Sequence, residues 1–233
     1  MAVRTRRRLI VPGSISIAVA LTAAVSAQTA APTATAPAVA TARNAAEVIA
    51  GMQSFSRGLK SYQVPLALHG GVKVSFVTIP IDAHGMEYYR APNRQAVHLE
   101  GAPAMAQRFQ NTVATMGSPQ TWPLDYSMSL VGVRQNNGHL AYHLMGPPKK
   151  SGSTVKSVSM WVTARTYALQ TVSFSYQNGS SLTLDFSHHG PSPYHLPTRV
   201  NVSARFSSYS GNAQLMYGTY ETNVPIPDSV FSR

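Results

Sequence analysis

Apolar and polar residues alternate along most of this chain, most regularly between Ser157 and Phe186. Three apolar series there occupy every second position, namely Val158, Met160 and Val162, then Val172, Phe174 and Tyr176, then Leu182, Leu184 and Phe186. A period of two is typical of strands with one buried face. Asn178-Gly179 favours a two-residue turn with positive φ at both positions. We therefore predict an antiparallel meander here.

The same period continues on both sides of this meander. Gly70-Gly71 divides the first stretch, where Pro65 indicates an edge position, and Asn137-Gly138 predicts a further hairpin turn. Residues 223–228 are expected to close the chain against a sheet edge. Further strands are predicted at 62–77, 86–89, 95–99, 126–133, 140–144, 199–206 and 213–220.

Two segments have helical spacing instead. Asn44 and Glu47 approximate a capping box before a first helix, which is predicted to end between Gly58 and Ser61. Its apolar stripe is Val48, Met52, Phe55 and Leu59. A second helix is predicted at 102–117, inserted into the series of strands, and its stripe is Met105, Phe109, Val113 and Met116.

Two helices are too few to cover a flat sheet of roughly ten strands with one apolar face. A sheet that curls around them into a half-barrel solves this problem. We therefore predict an α+β fold with a curled antiparallel sheet. The space under the sheet can be a packed core or a ligand cavity, and the residue pattern leaves both open, because methionine side chains suit either.

The first residues indicate export. Basic residues through Arg8, an apolar run over 9–25 and small residues at 25–27 predict a cleaved signal peptide at 1–27, with a membrane anchor as the alternative. The arginines at 6–8 also resemble a twin-arginine signal, so the export route stays open. Residues 28–42 are mostly Ala, Thr and Pro and predict a disordered tether. The folded domain is predicted at 43–233.

Composition and motifs exclude several classes of function. The net charge of +11 falls to +7 once the four leader arginines are subtracted, and the remaining basic residues are scattered, so we expect no nucleic-acid partner. The chain has no cysteine, which excludes disulfides, thiolate sites and lipoprotein acylation. His139 and His143 would lie about 13 Å apart in a strand, too far to share a metal. We expect no catalysis, metal or cofactor.

The order of these parts, from roughly Asn44 to Phe231, resembles the periplasmic lipoprotein carrier family typified by LolA, with LolB and the amino-terminal domain of MucB/RseB-type sensors. The likeness lies in an export signal, a first helix leading through residues 59–62 into a long strand pair, the segment 88–94, an inserted helix and a closing segment at 223–231. The resemblance implies an incomplete antiparallel β-barrel whose helices pack in the concave face as a lid, over an apolar cavity for acyl chains.

The resemblance also implies a ligand site. The expected cavity residues are Met105, Phe109, Val113 and Met116 on the lid and Met86, Tyr88, Met160, Phe174 and Leu184 on the sheet. In the family an arginine directly before a proline latches the lid, and here Arg90 and Arg94 flank Pro92 without adjoining it.

The expected function is that of a monomeric, periplasmic or secreted carrier that is not an enzyme. It would bind lipid or lipoprotein acyl chains and serve outer-membrane lipoprotein sorting or related lipid transport. The alternative is an envelope sensor or interaction domain of the same fold, whose partner is an envelope protein.

Overall fold

The computed structural model describes residues 44–92, 94–101, 122–189 and 193–232. They form helices α1 (Ala45–Phe55) and α2 (Trp122–Asp125), with 3₁₀ turns at Pro193–His195 and Asp228–Phe231. The strands are β1 (Ser61–Val74), β2 (Val77–Arg90), β3 (Arg94–Glu100), β4 (Ser129–Asn136), β5 (His139–Gly146), β6 (Val155–Thr163), β7 (Leu169–Tyr176), β8 (Ser181–Ser187), β9 (Arg199–Arg205), β10 (Ser210–Tyr217) and β11 (Glu221–Thr222). The helix predicted at 102–117 lies outside the described residues. No described helix is long and apolar enough to cross a membrane.

All eleven strands belong to one antiparallel sheet, in the order β3-β2-β1-β10-β9-β8-β7-β6-β5-β4, with β11 paired to the start of β1. Because β1 pairs with β10, the first and last long strands are neighbours. The two ends of the order, β3 and β4, follow each other along the chain. Among the described strands, the sheet therefore has the topology of an up-and-down barrel that is open between β3 and β4, which confirms the predicted antiparallel, incompletely closed sheet.

One face of the sheet forms the main core. It carries the apolar series that the alternation placed together, including Met160, Val172, Phe174, Leu182 and Leu184, all buried. Val48 of α1 and Trp122 of α2 belong to the same cluster, so both helices pack on this face. The Trp122 ring meets Phe174 edge to face, with centroids 5.3 Å apart.

Strand β1 differs from the sequence prediction in two respects. The glycines at 70–71 do not divide it, since Gly70 lies within the strand and lets β10 approach closely; a Cβ on Gly70 would lie 2.4 Å from the Asn212 carbonyl oxygen. Pro65 is not on an edge strand, because β1 pairs on both sides. Its missing N–H is tolerated because β1 changes partner there, from β11 to β10.

The two Asn-Gly turns differ from each other. Asn137 and Gly138 both have positive φ, as predicted for a two-residue hairpin turn. At the second turn only Gly179 has positive φ, and the Tyr176 N–H donates to the Ser180 carbonyl oxygen at 2.9 Å. The predicted two-residue turn is therefore wrong there, and the loop is longer because one left-handed residue follows an ordinary turn.

The start of α1 is as predicted, whereas its end is not. Asn44 Oδ1 accepts from the Glu47 N–H at 3.0 Å, which completes the expected cap. The helix ends at Phe55, before the predicted range, and Gly58 then takes a left-handed φ of 88°. Leu59, predicted on the helical stripe, instead packs with Tyr62 and Val64 of β1.

Candidate functional site

A cavity of about 120 Å³ lies between the helices and the apolar face of the sheet. Met52 and Phe55 of α1 and Trp122 of α2 line one side. The sheet side is lined by Leu169, Leu184, Phe186, Val200, Val202, Leu215 and Tyr217. An apolar cavity of roughly 150 Å³ is known to hold a benzene molecule, so this one has room for an apolar group of similar size.

The strand register brings the sheet lining together. Leu184 of β8 pairs with Val202 of β9, and Val200 of β9 pairs with Leu215 of β10. Directly paired residues lie on the same face of an antiparallel sheet. Alternation within each strand and register between strands therefore produce one continuous apolar wall.

The cavity also shows that the sheet curls. Gln95 of β3 and Leu169 of β7 both line it, although six strand spacings separate β3 from β7. A flat sheet would hold them about 29 Å apart, at roughly 4.8 Å per spacing. The strands between them must bend around the cavity.

A buried carboxylate marks one part of this lining. Glu87 of β2 is only 4% exposed and accepts three hydrogen bonds: from the Tyr62 hydroxyl at 2.6 Å, the Tyr217 hydroxyl at 3.1 Å and Gln95 Nε2 at 3.0 Å. Burial raises the pKa of Glu87, and the hydrogen bonds act in the opposite direction. Burial beside this carboxylate also raises the pKa values of Tyr62 and Tyr217.

Aromatic packing fixes the hydroxyl groups around Glu87. The Tyr62 ring stacks on Tyr89 with centroids 5.2 Å apart and meets Tyr220 edge to face at 5.3 Å. The Tyr220 hydroxyl donates to the Pro197 carbonyl oxygen at 2.7 Å. The donors that face the carboxylate are thus held by the fold itself. Ser56, His188, Tyr194 and His195 are further polar residues along the lining.

The structure separates the predicted site residues into groups. Leu184 lines the cavity, whereas Met160 and Phe174 share its face but lie in the packed core. Met86 and Tyr88 lie on the opposite face of β2, because alternation places Glu87 on the cavity face. The four predicted lid residues, Met105, Phe109, Val113 and Met116, lie outside the described residues, so their role stays a prediction.

Arg90 and Arg94 contact the C-terminal segment, residues 221–232. Both guanidinium groups bind Asp228 Oδ1, Arg94 at 2.5 Å, and Arg90 Nη1 also donates to the Ile226 carbonyl oxygen at 3.0 Å. Their hydrogen bonds hold the pKa of Asp228 below its usual range. Both also lie over the Phe231 ring, at 5.1 and 4.7 Å. The proposed contact with the inserted helix lies outside the described residues, so the latch role stays a prediction.

Sequence reasoning missed Glu87, Gln95 and Tyr62 as lining residues. The sequence did indicate that Glu87 is buried: it lies an even number of residues from the buried Ala83 and Tyr89 of the same strand, so all three face the same side of the sheet. An acid at an apolar-face position needs partners. The residue pattern does not show that those partners come from β1, β3 and β10.

Within the described ranges, no group of three or more His, Asp, Glu or Cys residues could hold a metal ion. The pairs that do occur, His69 with Asp82 and His84 with Glu100, are exposed and lie on the outer side of the β1–β2 hairpin. The residues that line the cavity supply apolar surface and hydrogen-bonding groups.

Several solved structures share this fold. A domain from Vibrio parahaemolyticus, provisionally assigned to outer membrane lipoprotein sorting, matches with a TM-score of 0.57 at 12% identity, over 79% of this chain and 94% of its own. A LolA superfamily protein from Nitrosomonas europaea matches with a TM-score of 0.53 at 14% identity, over 82% of this chain and 99% of its own. A DUF1329 family protein from Desulfovibrio piger matches with a TM-score of 0.57 at 12% identity, over 80% of this chain and 95% of its own.

No model of a protein family matches the sequence. No curated protein matches it either. These three structures share 12 to 14% identity with the chain, so what they establish is the LolA-like fold.

Proposed function

We propose that this chain, with its LolA-like fold, is an exported, non-catalytic carrier that binds lipid or lipoprotein acyl chains in the cavity between sheet and helices. Its role would be outer-membrane lipoprotein sorting or related lipid transport. The observation that carries the proposal is the apolar wall of β7 to β10 facing α1 and Trp122 across open space. The provisional assignment of the V. parahaemolyticus domain to lipoprotein sorting also supports it.

Burial energies set the expected dependence on chain length. Each buried CH₂ contributes about 0.8 kcal/mol, which tightens binding about fourfold. Association itself costs at least about 4 kcal/mol. Affinity should therefore rise steeply with chain length until the cavity is full, and then level off. A surface that binds detergent-like molecules without a cavity would show no such limit.

A matched pair of variants tests the site. Leu215 lines the cavity and Met216, the next residue, is 48% exposed on the other face of β10. Leu215→Trp should fill the cavity and weaken binding of a neutral ester such as methyl decanoate by tenfold or more, because the space for several CH₂ groups is lost. Met216→Trp is the control and should bind like the wild type.

Binding is measured by displacement of nile red, a neutral polarity-sensitive dye, and the fold of each variant is checked by circular dichroism. Equal loss in both variants, or no loss in either, would show that the ligand does not occupy this cavity. Native mass spectrometry of protein purified without detergent is the complementary observation. An apo mass unchanged by added acyl ligand would contradict carriage.

The arrangement of the whole chain is part of the proposal. A signal peptide at 1–27, a tether at 28–42 and a folded domain at 43–233 would deliver a monomer to the periplasm or outside the cell. Mass analysis of exported protein should find an amino terminus at Gln28, and light scattering should give the mass of one chain. An uncleaved amino terminus in the membrane fraction would favour an anchor instead.

An envelope sensor or interaction domain is the second candidate. The observation that favours it is strand β4, which among the described residues pairs only with β5 and carries Val131 at 52% exposure. An open strand edge can accept a strand from another protein. Capture of one stoichiometric envelope protein, unaffected by Leu215→Trp but lost when Val131 is replaced by proline, would favour this candidate over carriage.

A further inference from the structure

Near Glu87 the cavity lining offers an acceptor without a donor. Tyr62, Tyr217 and Gln95 each direct a donor to the Glu87 carboxylate. The other side-chain atom of Gln95, Oε1, is buried and has no hydrogen-bond partner. The orientation of the amide is fixed by the carboxylate, which accepts from Nε2 and so turns the carbonyl oxygen away.

A second residue of the same lining, His188, also has a buried nitrogen without a hydrogen-bond partner. His188 Nε2 lies 2.8 Å from the Leu169 carbonyl oxygen. That oxygen only accepts, so Nε2 carries the proton of this hydrogen bond, and in the corresponding neutral tautomer Nδ1 is an acceptor. His188 Nδ1 is buried without a partner, and His188 lines the cavity together with Gln95.

Buried polar atoms are normally hydrogen-bonded, and each exception calls for a physical explanation. An acceptor is satisfied only by a donor, so a ligand that pairs with either atom must carry an N–H or O–H. The hydroxyl groups of Tyr62 and Tyr217 already donate to Glu87, so neither is available to a second carboxylate placed beside it. The lining is otherwise mostly apolar.

We propose that the cavity selects neutral amphiphiles whose polar end donates a hydrogen bond, acyl amides or alcohols, and that Gln95 Oε1 accepts that bond. The inference rests on the proposed function, because it assigns the polar end of the ligand whose chain the cavity would bury. Esters lack the donor, and fatty-acid anions both lack it and approach Glu87.

The test compares decanamide, 1-decanol, methyl decanoate and decanoate, each displacing nile red from the protein at pH 8. The informative quantity is the affinity ratio of decanamide to methyl decanoate in the wild type, divided by the same ratio in Gln95→Met. This double ratio cancels the different hydration of the two ligands. One hydrogen bond predicts a value of roughly three to ten. Decanoate should bind most weakly of the four.

Gln63→Met is the matched control. Gln63 lies on the other face of β1 and donates its side-chain amide to a glutamate, Glu221, at 2.6 Å, as Gln95 does to Glu87. The control should keep the wild-type ratio. A readout that needs no variant is the amide proton shift of ¹⁵N-labelled decanamide, which should move downfield on binding to the wild type relative to the amide free in an apolar solvent.

The outcomes distinguish the two proposals. If all four ligands bind and Gln95→Met leaves the ratio unchanged, or if the bound amide proton does not move downfield, the selectivity inference is wrong while carriage stands. If decanoate binds as tightly as decanamide, the inference is also wrong. If no ligand displaces the dye or changes the native mass, carriage fails and the selectivity inference fails with it.

Discussion

Leu182 and Leu184 provide an internal comparison of packed core and cavity wall. Both are in β8 and face the same side of the sheet, two residues apart. Leu182 is fully buried, whereas Leu184 is 6% exposed and lines the cavity. A leucine beside open space lacks neighbouring atoms on that side, so it has fewer contacts to lose.

Leucine-to-alanine substitutions in packed cores cost about 2.7 to 5 kcal/mol, and the cost grows by about 24 cal/mol for each Å³ of cavity that remains. We expect Leu182→Ala to lower the free energy of unfolding by about 4 to 5 kcal/mol, because a sealed void is left. Leu184→Ala should cost about 2.5 to 3.5 kcal/mol, because the space there exists already. The variant should also bind acyl ligands one or two carbons longer.

Urea denaturation followed by circular dichroism measures both free energies, with the linear dependence on urea checked for equal slopes. Equal costs for the two substitutions, or a larger cost at Leu184, would show that Leu184 is packed as tightly as Leu182. The assignment of this wall as a cavity would then be refuted, whatever the binding data show.

Three further predictions concern the framework of the site. Asp228→Ala should free Arg90 and Arg94, and hydrogen exchange should then be faster across the C-terminal segment; unchanged exchange would mean that other contacts hold it. Because the pKa of Glu87 is raised in the fold, its contribution to stability is fully present below the ordinary carboxyl pKa of about 4.3 and is lost as pH rises through the raised value. In Glu87→Gln the free energy of unfolding should no longer fall as pH rises through this range. A fall equal to that of the wild type would refute the raised pKa of Glu87 as its cause. Gly70→Ala should cost about 1 to 3 kcal/mol by overpacking; Gly218→Ala, whose Cβ has ordinary contacts, is the control, and equal costs would contradict this account.

Local patterns in the sequence predicted much of the sheet. Alternation identified the strands around Met160, Phe174 and Leu184, and the capping pair Asn44 and Glu47 located the start of α1. These features depend on residues near each other in the chain, which is why they could be predicted. The end of α1 and the second Asn-Gly turn depend on finer backbone preferences and were predicted wrongly.

Long-range pairing explains the remaining differences. Two adjacent glycines are typical of a turn. Gly70 instead lies within a strand, where the absence of a side chain lets β10 approach closely. Met86 and Tyr88 were expected to line the cavity, yet the register of β2 places Glu87 there. The polar part of the site could not be predicted, because Tyr62, Gln95 and Tyr217 converge on Glu87 from three other strands.

The central claim is that an acyl chain occupies the space between the sheet and the helices. The most direct measurement is photolabelling of the protein with an acyl amide that carries a diazirine near its methyl end, followed by mass-spectrometric mapping of the labelled residues. We expect the label on the cavity wall of β8 to β10, at Leu184, Val202 and Leu215. Label confined to the outer face, for example at the exposed Met216, or no more label than in unfolded protein, would contradict the account.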